Sequence, residues 1–134
     1  YILPKKSLFN RIIGDSSFEL EIAGFLDSCD DIISFVKNYF AVHFRLDYKT
    51  SAGDLSNYYP DFIVKKSPTE IYIIETKGRE DIEDPHKIER LEQWCQDINK
   101  IQKEVKFAWL FVKEEEYKKY KVSSFEELIN NFKR

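Results

Sequence analysis

The chain contains no methionine and only two cysteines, four glycines and four prolines among its 134 residues. Such low glycine and proline contents exclude collagen-like and low-complexity chains, in which that bias prevents a core from forming. Two cysteines, Cys29 and Cys95, are too few for a disulfide framework, so we expect a reduced, cytoplasmic protein. Because it begins at Tyr1 without a methionine, we expect the chain to be a processed form or an excised domain of a longer protein.

The sequence also lacks long apolar runs and an excess of positive charge. No stretch approaches the roughly eighteen consecutive apolar residues that a membrane-spanning helix requires, so we expect no membrane partner. The 21 Lys and Arg residues are outnumbered by 24 Asp and Glu residues, which gives a net charge of −3. Freestanding nucleic-acid-binding proteins usually carry a basic excess, because neutralising phosphates supplies most of their affinity. Either this chain does not bind nucleic acid, or its basic residues act locally and another domain supplies the general affinity.

The apolar pattern predicts one α/β domain over residues 1–134. Ser16 and Glu19 have the spacing of a capping box, which predicts that a helix begins here. Apolar residues then recur at intervals of three and four, so we expect the helix to continue to about Lys37. Ser123 or Ser124 is expected to cap a terminal helix.

Strand-like and helical segments alternate after this first helix. The polar stretch 49–57 is predicted to be a loop. The predicted elements are strands over 40–48, 59–65 and 70–76, a helix over 85–103, a buried strand over 105–112 and two short helices at the end. The order α-β-β-β-α-β-α predicts a mixed sheet with helices packed on it.

The second and third predicted strands flank Ser67-Pro68-Thr69, a turn signal. A turn near Pro68 pairs residues whose numbers sum to about 136, which places Asp61 opposite Glu75 and Ile63 opposite Ile73. Alternate residues share a face, so Glu75 and Lys77 point the same way. Two carboxylates and an ammonium therefore meet at one end of the hairpin, unless a bulge or a shift in register separates them.

Two carboxylates this close require a cation or a proton between them. Hard oxygen ligands suit Mg²⁺, which usually takes one or two protein carboxylates and keeps several waters. The backbone carbonyl of Thr76 is a further candidate ligand. A lysine beside such a site can orient or help to deprotonate the attacking water, or stabilise charge on a phosphate. Zinc is not indicated, because His43 and His86 have no partners at ligand spacing.

Pro60-Asp61, followed after thirteen residues by Glu75-Thr76-Lys77, resembles the PD-(D/E)XK nuclease superfamily, and the order of elements is similar to its αβββαβ core. More closely, five stretches between about residues 17 and 99 resemble the C-terminal nuclease domain of the large subunit of type III restriction enzymes. These stretches are Ser17-Phe18-Glu19, Phe35-Val36-Lys37-Asn38, Tyr59-Pro60-Asp61-Phe62-Ile63-Val64, Glu75-Thr76-Lys77-Gly78-Arg79-Glu80 and Trp94-Cys95.

This resemblance implies a restriction-endonuclease-like mixed sheet flanked by helices, and Mg²⁺-dependent hydrolysis of phosphodiester bonds in double-stranded DNA, with Mn²⁺ able to substitute. It implies a helicase or translocase in the same chain or complex, which binds the ATP that this domain does not bind. A modification or specificity subunit is a further implied partner, in a restriction or other anti-phage defence system.

The resemblance also assigns roles to individual residues. Asp61 and Glu75 become metal ligands, with the Thr76 carbonyl beside them, and Lys77 becomes the catalytic lysine. Glu19 takes the place of a first-helix glutamate that helps to complete the metal site. Capping of its own helix is an equally weighted role for Glu19, and Glu21 competes with it for the place in the metal site.

Arg79 and Lys87 are candidate contacts to DNA phosphates under the same resemblance. A charged run such as residues 77–92 is more often a solvated helix face, so this assignment is weaker.

Three alternatives remain open at this point. One is a catalytically silent module with the same fold, used for DNA docking or protein assembly; the retention of Asp61, Glu75 and Lys77 together argues against it. Another is a nuclease of a different system, such as a transposon end-cutting subunit or another antiviral effector. The third is RNA as the substrate.

Overall fold

The computed structural model of the protein describes residues 4–7, 16–38, 42–79 and 81–134. In chain order its elements are α1 (Ser17–Ser28), β1 (Ser34–Lys37), β2 (Leu46–Lys49), β3 (Leu55–Tyr58), β4 (Phe62–Ser67), β5 (Glu70–Lys77), α2 (Asp84–Ile101), β6 (Lys106–Lys113), α3 (Glu114–Tyr120) and α4 (Phe125–Phe132).

Four strands form the central sheet in the order β1-β4-β5-β6. The β1–β4 and β4–β5 pairs are antiparallel, whereas β5 and β6 are parallel. Parallel neighbours need a crossover connection, which α2 provides. The predicted mixed sheet flanked by helices is thereby confirmed, and α1-β1-β4-β5-α2-β6 is the αβββαβ order of a restriction-endonuclease-like fold.

The first helix is shorter than predicted. It ends at Ser28, with Cys29 as its C-cap, and the chain turns at residues 30–31 before entering β1. The expected continuation to Lys37 is wrong because Ser34–Lys37 pairs with β4. Three consecutive residues of this strand are buried, and a strand buried on both faces shows no alternation that would distinguish it from a helix.

The strand predicted over 40–48 and the loop predicted over 49–57 are correct only in part, at 46–48 and 50–54. Residues 42–45 form no strand, residues 39–41 lie outside the described part of the chain, and β1 takes the place of the first core strand. Strands β2 and β3 form a separate antiparallel sheet that occupies much of 46–58. Its polar strand β3 alternates too weakly in the sequence to stand out from a loop.

The predicted hairpin register is confirmed. Phe62 pairs with Ile74 and Ile63 with Ile73, as a turn near Pro68 requires. The register shifts only between Lys65 and Ser67, at the turn end of the hairpin. The open end, where Asp61 precedes β4, therefore keeps the alignment on which the predicted site depends.

The core lies on both faces of the central sheet. On one face α1 and α4 pack against Phe62, Val64 and Ile74. On the other face α2 and the β2–β3 sheet pack around Ile73, the neighbour of Ile74 in β5. Cys29 and Cys95 are free thiols buried in these two clusters.

Serine caps begin two helices, as the sequence predicts. Ser16 Oγ accepts a hydrogen bond from the backbone N–H of Glu19, and Ser124, rather than Ser123, accepts one from Glu127. Within the part of the chain that the structure describes, no helix is both long enough and apolar enough to cross a membrane.

Candidate active site

A cavity of about 340 Å³ opens where β4 begins and β5 ends. Five parts of the chain contribute to it, namely the start of α1, the end of β3, the chain between β3 and β4, the end of β5 and α2. Six of the residues that the sequence singles out line its wall: Glu19, Asp61, Glu75, Thr76, Lys77 and Lys87. The predicted convergence of two carboxylates and a lysine at this end of the hairpin is therefore seen in the structure.

Asp61 is held rigidly at the open end of the hairpin. Its backbone N–H donates to the carbonyl of Ile74 at 3.0 Å. Its Oδ2 accepts two hydrogen bonds from Thr76, one from the backbone N–H at 2.8 Å and one from Oγ1 at 2.7 Å. Because Oδ2 is fully engaged by Thr76, the orientation of the carboxylate is fixed. The sequence singled out the carbonyl of Thr76 and missed this role of its N–H and hydroxyl.

Asn38 fixes the loop that leads into Asp61. Its Nδ2 donates to the carbonyls of Phe44 and Pro60, and its Oδ1 accepts from the backbone N–H of Phe44. Its backbone N–H donates to the carbonyl of Asp61 at 2.8 Å. Sequence reasoning missed this role, because Asn38 follows the charged Lys37 and no local pattern marks it.

Glu75 is more buried than Asp61, the other carboxylate at this end of the hairpin. Burial, followed by the negative charge of Asp61, raises its pKa well above the usual value, and only part of this effect is offset by Lys77 and Lys87. A carboxylate in this environment is stabilised by any cation that binds beside it. The Asp61–Glu75 pair is therefore a place where positive charge is favoured.

Lys37 supplies positive charge on one side of this pair. Its Nζ lies 3.1 Å from Oε1 of Glu19 and 3.9 Å from Oδ1 of Asp61. The side chains of Lys37 and Glu19 are only 5% and 8% exposed. Lys37 was missed as a site residue because the sequence placed it at the end of a helix rather than on β1.

Glu19 faces the cavity rather than its own helix end. Its backbone N–H is capped by Ser16, while its carboxylate contacts Lys37. Burial and the neighbouring Asp61 raise the pKa of Glu19 above its usual value, against the opposing effect of Lys37. Glu21, the competing candidate, is exposed, and its charge acts on Tyr117 at the α3 side of the helix.

Lys77 is held by two aspartates. Its Nζ lies 3.3 Å from Oδ2 of Asp81 and 3.3 Å from Oδ1 of Asp84, the first residue of α2. Burial alone would lower the pKa of Lys77, but Asp84 and Asp81 together outweigh it and raise that pKa. Asp84 is buried and was missed by the sequence analysis, although a carboxylate in the first turn before Pro85 was visible there.

The two candidate phosphate contacts are placed differently. Lys87 lies on α2 at the wall of the cavity, with its Nζ 5.8 Å from the ring centroid of Tyr58. Arg79 is exposed and, among the described residues, is not part of the cavity lining.

The donor atoms in the cavity fit a hard divalent cation. Asp61 and Glu75 present carboxylate oxygens to a shared space, and the burial of Glu75 beside another negative charge favours a cation there. In residues 4–7, 16–38, 42–79 and 81–134 no group of three or more His, Cys, Asp or Glu side chains is arranged to hold a metal. Two carboxylates completed by water are the usual arrangement for Mg²⁺, whereas zinc requires a fuller protein cage.

The central sheet and the acidic cavity at the end of its hairpin define a restriction-endonuclease-like protein. The chain matches the family described as "Endonuclease domain" over residues 5–121, and it belongs to that family. No match was found among curated proteins or among solved structures. The coarser part of the resemblance, an endonuclease domain, is thereby confirmed.

Proposed function

We propose that this chain is a metal-dependent endonuclease domain that hydrolyses phosphodiester bonds in double-stranded DNA. The observation that carries the proposal is the convergence of Glu19, Asp61, Glu75 and Lys77 on one cavity. Membership of an endonuclease family supports the reaction class, and the acidic cavity supports the dependence on a metal.

The proposed ligands of Mg²⁺ are Asp61 and Glu75, completed by the Thr76 carbonyl and by water. Glu19, the further candidate ligand, is paired with Lys37 beside them. Mg²⁺ held by these residues, or Mn²⁺ in its place, would polarise a phosphate and lower the pKa of a bound water. Asp61 offers Oδ1 for this purpose, because Thr76 occupies Oδ2. The Thr76 bonds also prevent the carboxylate from rotating when the cation leaves.

Lys77 is proposed to orient the attacking water and to stabilise negative charge on the phosphate. Asp81 and Asp84 support this role because they keep its ammonium charged and restrict its motion. Lys87 at the cavity wall and Arg79 outside it are proposed contacts to the DNA backbone.

The proposed setting is a cytoplasmic restriction or other anti-phage defence system, similar to the type III restriction enzymes. An ATP-dependent helicase or translocase in the same chain or complex would deliver the DNA, and a modification or specificity subunit would select the sequence. The net charge of −3 supports such a division of labour, because a domain without a basic excess gains little general affinity for DNA.

A second candidate is a catalytically silent module with the same fold. The observation that favours it is Lys37, whose ammonium already neutralises charge on Glu19 and Asp61. Such a module would bind DNA or a partner without needing a divalent cation.

Nicking of supercoiled plasmid in Mg²⁺ or Mn²⁺ separates the two candidates. The full-length protein, alone and in its complex, is compared with its Asp61→Ala and Lys77→Ala variants, and Glu21→Ala serves as the matched control outside the cavity. We expect cutting by the wild type and by the control, and none by the two cavity variants. Cutting that survives both cavity substitutions would place the catalytic centre elsewhere. No cutting under any condition would favour the silent module.

A further inference from the structure

We propose that the ammonium group of Lys37 takes the place of a second divalent cation, so that the cavity holds a single metal ion. The inference rests on the proposed function and deepens it, because it concerns the number of ions at the same site. Lys37 is the last residue of β1 and pairs with Phe62, the residue directly after Asp61. The docking of β1 on β4 therefore brings this lysine beside one of the proposed metal ligands.

The first observation is the position of the ammonium between two carboxylates. Nζ of Lys37 lies 3.1 Å from Oε1 of Glu19 and 3.9 Å from Oδ1 of Asp61. The other oxygen of Asp61, Oδ2, accepts two hydrogen bonds from Thr76. The longer contact leaves Oδ1 of Asp61 available to one cation, whereas the shorter contact engages Glu19 in a close ion pair.

The second observation is the shortage of carboxylates for another ion. In the described part of the chain, the acidic residues that line the cavity are Glu19, Asp61 and Glu75. Mg²⁺ is usually held by one or two protein carboxylates. When Asp61 and Glu75 hold one ion, a second ion depends on Glu19 for a carboxylate of its own. The Oε1 atom of Glu19 is already paired with Lys37.

Burial keeps Lys37 in this position. Its side chain is only 5% exposed, and its Nζ lies 5.7 Å from the ring centroid of Phe62. Glu19, its partner, is 8% exposed. Separation of a buried ion pair leaves an uncompensated charge and is strongly unfavourable. The ammonium therefore stays in place when a cation binds beside Asp61.

The charges of the cavity also favour one ion. Glu19, Asp61 and Glu75 carry three formal negative charges, and Lys37 balances one of them. One divalent cation balances the two charges that remain. A second divalent cation would leave uncompensated positive charge in a buried place, which is unfavourable. Lys77 does not alter this balance, because two aspartates outside the cavity lining compensate its charge.

The test is a calorimetric titration of Mn²⁺ into the metal-free full-length protein, in which the number of bound ions is counted. Asp61→Asn corrects for ions that bind elsewhere. We expect one Asp61-dependent ion in the wild type and two in Lys37→Met, because the oxygens of Glu19 then become available. The double variant Lys37→Met/Glu19→Gln should return to one ion. Lys118→Met, which removes an exposed partner of Glu114, is the matched control and should bind one ion.

Electron paramagnetic resonance shows whether the additional ion lies at this site. In two-metal sites the ions lie about 3.5–4 Å apart, and two Mn²⁺ ions at that separation are magnetically coupled. Lys37→Met with two bound ions should therefore give the spectrum of a coupled pair, and the wild type that of an isolated ion. Glu19→Gln adds a test that keeps Lys37 in place. It should still bind one ion, because Glu19 is not a ligand of that ion.

The other outcomes separate this inference from the proposed function. Two coupled ions in the wild type, or a single ion in Lys37→Met, would overturn the inference and leave the proposed function standing. Loss of the ion in Glu19→Gln would make Glu19 a ligand of the single ion and would overturn the inference as well. The wild type and Glu19→Gln thus decide the question even if Lys37→Met does not fold. A wild type without any Asp61-dependent ion would refute the proposed metal dependence, and this inference with it.

Discussion

Replacement of Lys37 by methionine tests whether the acidic cavity depends on a buried positive charge. Methionine is close to lysine in length and keeps the packing of the aliphatic stem, but it carries no charge. The substitution leaves Glu19 without the ammonium that now lies 3.1 Å from its Oε1. It also removes the longer contact of 3.9 Å to Asp61.

The expected loss of stability is large because both side chains of the pair are buried. Removal of one partner from a buried ion pair costs about 3–5 kcal/mol. We expect a value near the lower end, about 3 kcal/mol, since Glu19 borders a cavity that water can enter. A domain of this kind is stable by about 5–15 kcal/mol, so the variant should still fold.

The assay is urea unfolding at pH 7 in the presence of EDTA, arranged as a double-mutant cycle with Glu19→Gln. Because the double variant no longer contains either charge of the pair, its loss should be smaller than the sum of the two single losses by at least about 1 kcal/mol. Lys118→Met is the control. Its pair with Glu114 is closer, at 2.7 Å, but Lys118 is largely exposed, and we expect almost no change.

Two results would refute this reasoning. If the two single losses simply add, Lys37 and Glu19 do not act as a pair. If Lys118→Met costs as much as Lys37→Met, distance rather than burial sets the strength of these ion pairs.

Three further predictions concern groups that hold the site and the terminal helix in place. Asn38→Ala should lower the free energy of unfolding by about 3 kcal/mol, because three side-chain hydrogen bonds are lost around a buried loop. A loss below about 1 kcal/mol in urea unfolding would contradict this. Mg²⁺ at about ten times its Kd should stabilise the wild type by about 1.4 kcal/mol and raise its Tm. Asp61→Asn should abolish this increase in Tm. An equal increase in Tm in both proteins would show that Asp61 is not a metal ligand. Asp31→Asn should cost about 1 kcal/mol at pH 7, because the Asp31 carboxylate accepts the backbone N–H groups of Phe125 and Glu126 at the start of α4. Burial alone would raise the pKa of Asp31, but the hydrogen bonds from backbone N–H groups, together with the charge of Lys66, outweigh it and lower that pKa. The stabilisation by Asp31 is therefore present above its unfolded pKa and is lost as pH falls through its folded pKa. The difference between Asp31→Asn and the wild type should therefore shrink below about pH 4, and a constant difference from pH 7 to pH 3 would contradict the assignment.

The hairpin that carries the acidic residues could be predicted from the sequence because its pairing is local. A turn signal at Pro68 and alternation in two adjacent strands fix the register, and the register places Asp61 opposite Glu75. The caps at Ser16 and Ser124 could be predicted for the same reason, because each depends on residues only three positions apart.

The rest of the site depends on contacts that no local pattern encodes. Lys37 reaches Glu19 only because β1 docks beside β4, whereas the apolar pattern before it predicts a helix. Tyr58 enters the cavity through a short polar strand whose pairing partner, β2, lies across a turn that contains Gly53 at φ +90°. Asp84 pairs with Lys77 across the connection from β5 to α2, where the sequence shows only a charged run.

The parallel pairing of β5 with β6 has a consequence for the order of folding. Each β5 residue pairs with a residue 36 positions later, as Glu70 does with Lys106, whereas the β4–β5 partners are close in the chain. Local pairs form faster than distant ones, because less chain entropy is lost before a contact is gained. We therefore expect Asp61 and Glu75 to come together early, before α2 has brought Asp84 to Lys77. The developing hairpin must then tolerate two carboxylates whose charge is compensated only as the later elements dock.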